Sequence, residues 1–369
     1  MAITKIPAAG FTGNNFRNII INGDMSIAQR GTSATGLGNG DGGYHTVDRW
    51  TFLESGTTTY EFTMSQDTDV PSGQGFATSL KLDCTTADAS LDADNLIRIA
   101  QIIESQNLQY LKYGTSNAES LTASFWVKST VTGDYNVNLY NYGSGGGARI
   151  ISSIYTINSA DTWEKKTITF DGDTVEAFLN DNTAGLNLAF SLGSGTSYTS
   201  TDATSWGSYS SGKLAYGQVA NIASSTANNF YITGIQLEAG TTASDFEFIP
   251  KEMSLYRCLR YYEGGNGNSN YDNGLDTPLR WCERLKSSTT RYKVFNNHFW
   301  VPKRVVPTVT IWGGAGFTTS NTIHVYNGSS TTATVSSVSN IGKNGFSRVN
   351  VGVSSDLTYI FFYEADAEL

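Results

Sequence analysis

Residues 230–263 read FYITGIQLEAGTTASDFEFIPKEMSLYRCLRYYE. Phe230 to Glu238 has the β-branched and aromatic content of a strand, Gly240 turns the chain, and an extended segment runs on to Pro250. The period then changes. Leu255, Cys258, Leu259 and Tyr262 fall at i, i+3, i+4 and i+7, one face of a short helix. A β-domain therefore ends here. A linker helix at 251–264 leads into a second unit.

Upstream, short strands recur with polar turns between them. Trp50/Phe52, Tyr60/Phe62/Met64, Leu80/Leu82/Cys84, Tyr135/Val137/Leu139, Ile168/Phe170 and Leu186/Leu188/Phe190/Leu192 each alternate with polar residues. The clearest case sets Leu121, Ala123, Phe125 and Val127 against Thr122, Ser124, Trp126 and Lys128. One buried and one wet face per strand predicts a two-sheet sandwich over 18–250. The β-branched run Arg17–Asn22 reads as its first strand. Ile97/Ile99/Gln101/Ile103 reads as a strand and Leu108/Leu111 as a helical turn. Downstream, residues 265–369 restart the pattern with Trp281, Tyr292–Phe295, Val305–Trp312, Ile323/Val325, Arg348/Asn350 and Leu357–Tyr363. Pro302 and Pro307 make the Val305–Trp312 segment an edge or bent strand. About 105 residues suffice for a smaller sandwich. The expected fold is all-β: a jelly-roll β-sandwich, a short helix, and a smaller C-terminal β-sandwich. Residues 1–17 are too short and mixed for a core and read as a tail or docking arm.

Composition agrees. The chain has 369 residues, 38 of them Gly and 6 Pro, and charged residues are only 15%. Low charge suits a surface covered by neighbours or by copies of itself. The net charge of −9 and the scattered basic residues argue against nucleic-acid binding. Cys84, Cys258 and Cys282 are too few and too widely spaced for a disulfide framework or zinc site. The opening MAITKIPAAGF has no signal-peptide pattern, and no apolar window reaches the roughly 18 residues of a membrane helix. Synthesis in a cytoplasm without membrane insertion is the expectation.

Catalytic motifs are scarce. Gly38–Gly43 fits GxGxxG literally but lacks a flanking strand and helix, so it reads as a loop. His45, His298 and His324 are isolated in sequence. Asp67/Asp69 and Asp171/Asp173 are close carboxylates in turn contexts, where they act in the turn. No enzyme is expected. Two Gly/Ser-rich loops, 143–147 and 193–212, punctuate the first domain. The second carries Tyr198, Trp206 and Tyr209, whose faces could stack on sugar C–H groups or pin the loop to the sandwich. Trp126, on the polar face of its strand, is the fourth glycan-binding candidate. Its alternative is packing against the segment near Leu108.

The words NIIINGDMSIAQRGT (18–32), YHTVDRW (44–50), SLKLDC (79–84), IRIAQIIESQNLQYLKYGT (97–115), LTASFWVKS (121–129), DTWEKKTITFDGD (161–173), GLNLAFSLGSGTSY (185–198) and FYITGIQLEAG (230–240) resemble the carbohydrate-binding-module-like jelly roll of tailed-phage fibres and virion appendages. RYYE (260–263), FWVPKRVVPTVT (299–310), NGF (344–346) and EADAEL (364–369) resemble the small domain that follows it. The resemblance implies a virion tail fibre or spike, a homotrimer docked to other virion proteins through residues 1–17, that attaches to host-surface polysaccharide. Related modules often hold a structural calcium between an Asn-Gly-x turn and an acidic residue of the last strand. Asn22-Gly23-Asp24 is present, but the last strand carries Thr233 and Gly234, which argues against the ion. No metal or cofactor is expected. Two other readings stay open. One is a purely structural capsid-decoration, head-fibre or tail-adaptor component, with the aromatics, including an exposed Tyr261, Tyr262 and Tyr271, as protomer contacts. The other is a depolymerase, for which the β-helical repeat of many such spikes is missing.

Overall fold

Strand alternation in Leu121–Ser129 becomes a two-sided sheet. Leu121, Ala123, Phe125 and Val127 are fully buried between sheets, and Trp126 faces outward. The structure, a computed structural model, describes residues 16–145, 147–264, 292–313, 319–326, 330–351 and 358–369. The first domain holds β1 (Ser33–Leu37), β2 (Gly43–Tyr44), β3 (Thr51–Ser55), β4 (Glu61–Asp67), β5 (Ser79–Thr86), β6 (Leu96–Glu104) and β7 (Leu121–Ser129). It continues with β8 (Gly133–Asn141), β9 (Arg149–Ile157), β10 (Glu164–Phe170), β11 (Ala184–Ser194), β12 (Gly207–Ser208) and β13 (Asn229–Ala239). They form a six-stranded sheet, β1-β4-β5-β13-β7-β10, and a seven-stranded sheet, β12-β9-β8-β11-β6-β3-β2. Between the sheets Phe125 meets Tyr155 and Phe190 edge-on at 5.1 and 4.9 Å, and Trp50 is wholly buried.

α1 (Lys251–Leu259) follows, then β14 (Tyr262–Gly264), β15 (Tyr292–His298), β16 (Thr308–Gly313), β17 (Thr319–Ser320), β18 (Thr322–Tyr326), β19 (Ser330–Gly342), β20 (Gly345–Val351), β21 (Thr358–Ile360) and β22 (Phe362–Asp366). A four-stranded sheet, β14-β22-β16-β17, and a five-stranded sheet, β15-β20-β19-β18-β21, make the smaller sandwich. Its core includes Phe299, Ile311, Phe346, Val349, Phe361 and Tyr363.

Several expectations need correction. Ile19–Ile21 lies outside any strand and bends from Ile20: the Ile19 amide donates to the Leu237 carbonyl, and side chains take the bonds of the next residues. Gln101 Oε1 accepts from the Ile21 amide and its Nε2 donates to the Ile21 carbonyl, both at 2.8 Å. Asn18 Oδ1 accepts from the Ile20 and Leu237 amides. The linker expected as helix over 251–264 is helical only to Leu259, and Tyr262–Gly264 is already a strand of the second domain. The segment marked as an edge or bent strand begins as β16 only after Pro307 and lies inside its sheet, between β22 and β17. Tyr261 and Tyr262 are buried rather than exposed, under the Arg49 and Arg30 guanidinium groups at 3.5 and 3.6 Å from the ring centres. Tyr271, Trp281 and Cys282 lie outside the described residues, as does the arm up to residue 15.

The two domains share polar anchors. Arg260 forks onto Glu104 at 2.7 and 2.8 Å, while within the second domain Lys303 is buried against Glu263 at 2.6 Å. Glu368 pairs with Arg49 and Arg30, while Arg304 donates to the carbonyls of Asn182, Ala367 and Glu368. Leu369 packs with Ile21, Ile27 and Cys258. The last residues thus run back onto the first domain.

Candidate functional site

The loop after β11 crosses the outer face of the seven-stranded sheet. Polar side chains of that face hold its backbone: Asn138 Nδ2 and Ser191 Oγ donate to Leu214 O, Asn136 Nδ2 to Tyr216 O, and Ser152 Oγ to Lys213 O, at 2.8–3.2 Å. Leu214 and Ala215 then bury a small apolar cluster with Leu96 and Ile150, against which Tyr140 and Tyr198 pack. A Ser/Gly-rich loop is therefore fixed at one end and carries rings at the other.

Four tyrosines gather beside that anchor. Tyr140 meets Tyr142 and Tyr209 edge-on, with centroids 4.7 and 5.2 Å apart. Tyr142 is 36% and Tyr209 44% exposed, so the rings line open surface. Tyr198 shares the Tyr140 cluster. Asn187, opposite Tyr140 in the β11–β8 register, is buried, and its Oδ1 has no hydrogen-bond partner among the described residues. Arg98 projects from the outer face of β6, where Leu53 and Ser191 stand opposite it in register. Burial lowers its pKa and raises those of Tyr140 and Tyr142.

The four sequence candidates therefore separate. Tyr198 and Tyr209 come together on the seven-stranded sheet. Trp206 is spent on the loop: its Nε1 donates to Asp171 O at 2.6 Å and its ring meets Tyr113 edge-on at 5.9 Å. Trp126 lies on the outer face of the six-stranded sheet, between Lys165 and Thr233 in register. Leu108 sits in the inter-sheet core on the other side of β7, so it is not what Trp126 packs against. Tyr140, Tyr142, Arg98 and Asn187 were missed. Their signal was the second face of three strands: Asn136/Asn138/Tyr140 behind Val137/Leu139, Arg98 between Ile97 and Ile99, and Asn187 between Leu186 and Leu188.

Asp173 and Asp69, one from each pair of close carboxylates, are held in ion pairs. Asp173 is fully buried on Arg149 at 3.0 Å and accepts from the Val175 amide. Asp69 pairs with Lys128 and Trp163 Nε1, and its amide donates to Asp67 Oδ1. His45 is half-buried, and burial lowers its pKa. Among the described residues no group of three His, Cys, Asp or Glu could hold a metal. At the calcium-type position, Asn22 instead ties Ile27 and Asp48, Asp24 accepts from Ser26, and Thr233 donates to Thr78 O.

No family model matches the chain, and no curated protein does. Among solved structures it is similar to the enzymatically active domain of tailspike protein 4 of bacteriophage CBA120, at 14% identity and TM-score 0.34, over 61% of this chain and 22% of that one. It is also similar to TmCBM61, solved with β-1,4-galactotriose, at 12% identity and TM-score 0.30, over 60% of this chain and 99% of that one. A third is the C-terminal family 22 carbohydrate-binding module of Clostridium thermocellum Xyn10B, at 12% identity and TM-score 0.29, over 59% of this chain and 100% of that one. Likeness at this level carries no argument about what this chain binds.

Proposed function

We propose that this chain is a glycan-binding protein of a phage virion, a tail fibre or spike that holds host-surface polysaccharide without cleaving it. The observation that carries the reading is the open surface of Tyr140, Tyr142, Tyr198 and Tyr209. Ring faces take sugar C–H groups, and side-chain polar atoms without partners take hydroxyls. Non-cleavage is supported by the engagement of Asp173 and Asp69 in ion pairs. Placement on a virion, a trimeric state and docking through residues 1–17 rest on the sequence resemblance. One such site would bind weakly, and three would add avidity without new contacts.

A purely structural role has one observation in its favour. A cleft of about 560 Å³ lies where the domains meet, lined by Phe16, Gln101, Tyr110, Arg257, Arg260 and Tyr261, with Phe16 and Tyr110 half exposed. A neighbouring virion protein could seat there.

The test is a panel of bacterial surface polysaccharides, read for both binding and released sugar. Binding without release, weakened about tenfold by Tyr209→Ala with an unchanged melting temperature, is expected. Released oligosaccharide would overturn the non-cleaving reading. Binding by no polysaccharide would leave the structural role.

A further inference from the structure

The cleft where the domains meet is lined by three arginines, Arg49, Arg257 and Arg260, and among the described residues by no carboxylate, on a chain of net charge −9. Two of the three are matched: Arg49 pairs with Glu368 and Arg260 with Glu104. Arg257, on α1, forms no ion pair among the described residues, and its Nη2 reaches the Asn18 carbonyl only at 3.5 Å. Its Nε and Nη1 have no partner there and are not sealed from water. Glu247, whose charge acts on Arg257, is committed to the Phe16 and Asn18 amides at 2.8 and 2.9 Å. Burial lowers the Arg257 pKa, so the guanidinium is partly desolvated before any anion arrives. The rest of the lining is apolar at its centre and aromatic at its rim. Ile19 and Ile102 are half-buried beside the buried Ile21 and Ile103, and Phe16 and Tyr110 are 53% and 50% exposed.

We infer that this cleft binds an acidic, apolar peptide segment of a neighbouring protein, with an Asp or Glu side chain on Arg257 and an aliphatic or aromatic side chain beside it on the isoleucines. The charge of the lining calls for an anion, and a guanidinium with free donors takes a carboxylate as a fork. The aliphatic floor decides what carries that carboxylate. Sugar faces seek aromatic planes, whereas the four isoleucines offer contact to an apolar side chain. About 560 Å³ is within the roughly 300–1,000 Å³ of specific binding pockets, room for a few side chains of one segment. The rings of Phe16 and Tyr110 close over such a segment and shield the pair from water. The inference gives the cleft an occupant and does not rest on the glycan-binding reading.

The experiment selects binders of the full chain from an mRNA-displayed library of random 12-residue peptides. Enriched peptides are remade with each Asp and Glu replaced by Asn and Gln, and both forms are titrated by fluorescence anisotropy at low and at raised salt. The enriched peptides are expected to carry an acidic residue next to an aliphatic or aromatic one. The acid form should bind 10- to 100-fold more tightly than the amide form, with the difference shrinking as salt rises. Arg257→Gln should bring the two forms level, and Tyr110→Ala should weaken both alike. The acid–amide comparison uses the unaltered protein, and Tyr110 is a half-exposed rim residue, so chemistry and place are both read even if Arg257→Gln folds poorly. Equal binding of acid and amide forms, binding indifferent to both substitutions, or no enriched peptide would overturn the inference. Displacement of the peptide by an acidic polysaccharide would overturn it in favour of saccharide in the cleft. Each of the first three results leaves polysaccharide binding at the tyrosines to be read separately, so the two readings fail independently.

Discussion

Glu368→Ala tests how the last residues hold the two domains together. The Glu368 side chain is 5% exposed and pairs with Arg49, 1% exposed, and with Arg30. Without it, Arg30 keeps Asp366 at 2.9 Å. Arg49 keeps the Ile102 carbonyl and the Tyr261 ring. Breaking one side of a buried ion pair costs about 3–5 kcal/mol, because the remaining charge stays desolvated. The Arg30 half adds little, since its second carboxylate is largely solvated and such pairs contribute about 0–1 kcal/mol. The expected loss is therefore about 3–4 kcal/mol, set by Arg49. If the chain melts as one unit, an unfolding entropy of roughly 2.1 cal/mol/K per residue converts this to a fall of about 4–5 °C. Calorimetry and urea melts measure it. The same change made in an Arg49→Met background should cost under about 1 kcal/mol, because no buried charge is stranded. Equal losses in both backgrounds, or a shift below about 1 °C, would refute the reasoning.

Asp48 gives a pH prediction. Burial pushes its carboxyl from 3.8 to about 6, against the opposing pull of Arg30 and the Gln29 hydrogen bonds. A proton held more tightly in the folded state adds stability that is full below about 3.8 and lost as pH rises through about 6. Urea midpoints should show this as a term of about 2–3 kcal/mol between pH 4 and 7 that is missing in Asp48→Asn, and identical pH profiles would sink it. Gly23→Ala should cost at least about 3 kcal/mol in equilibrium unfolding, since a Cβ there collides with the Ile235 carbonyl and the Gly23 carbonyl is itself bonded to the Ile235 amide; a neutral substitution would show that this backbone contact is adjustable. Trp206→Ala should expose the loop 195–213 to limited proteolysis and cost about 1–3 kcal/mol, and direct sugar contact would instead show as lost affinity with an unchanged digest.

The sequence by itself determined the all-β class, the inward face of each long strand, the turn from strand to helix near Pro250 and the second β-unit. Those are local facts: period two in Leu121–Val127 and period near 3.6 in Leu255–Cys258–Leu259 are set by backbone geometry. It also put two of the site's tyrosines, Tyr198 and Tyr209, on one loop. What that loop does was decided by the tertiary structure. Tyr209 and Trp206 are three residues apart, yet one ring lies open beside Tyr140 and the other is bonded to Asp171 O. Strand pairing, which depends on residues far apart in the chain, brings Arg98 and Asn187 to one face, and gives Arg98 no carboxylate among the described residues. The same long-range packing buries Tyr261 and Tyr262 under arginines from the first domain, although their own neighbourhood in sequence reads as an exposed linker. Burial and pairing of a side chain are properties of what lies across the sheet or the domain boundary, and no local period carries them.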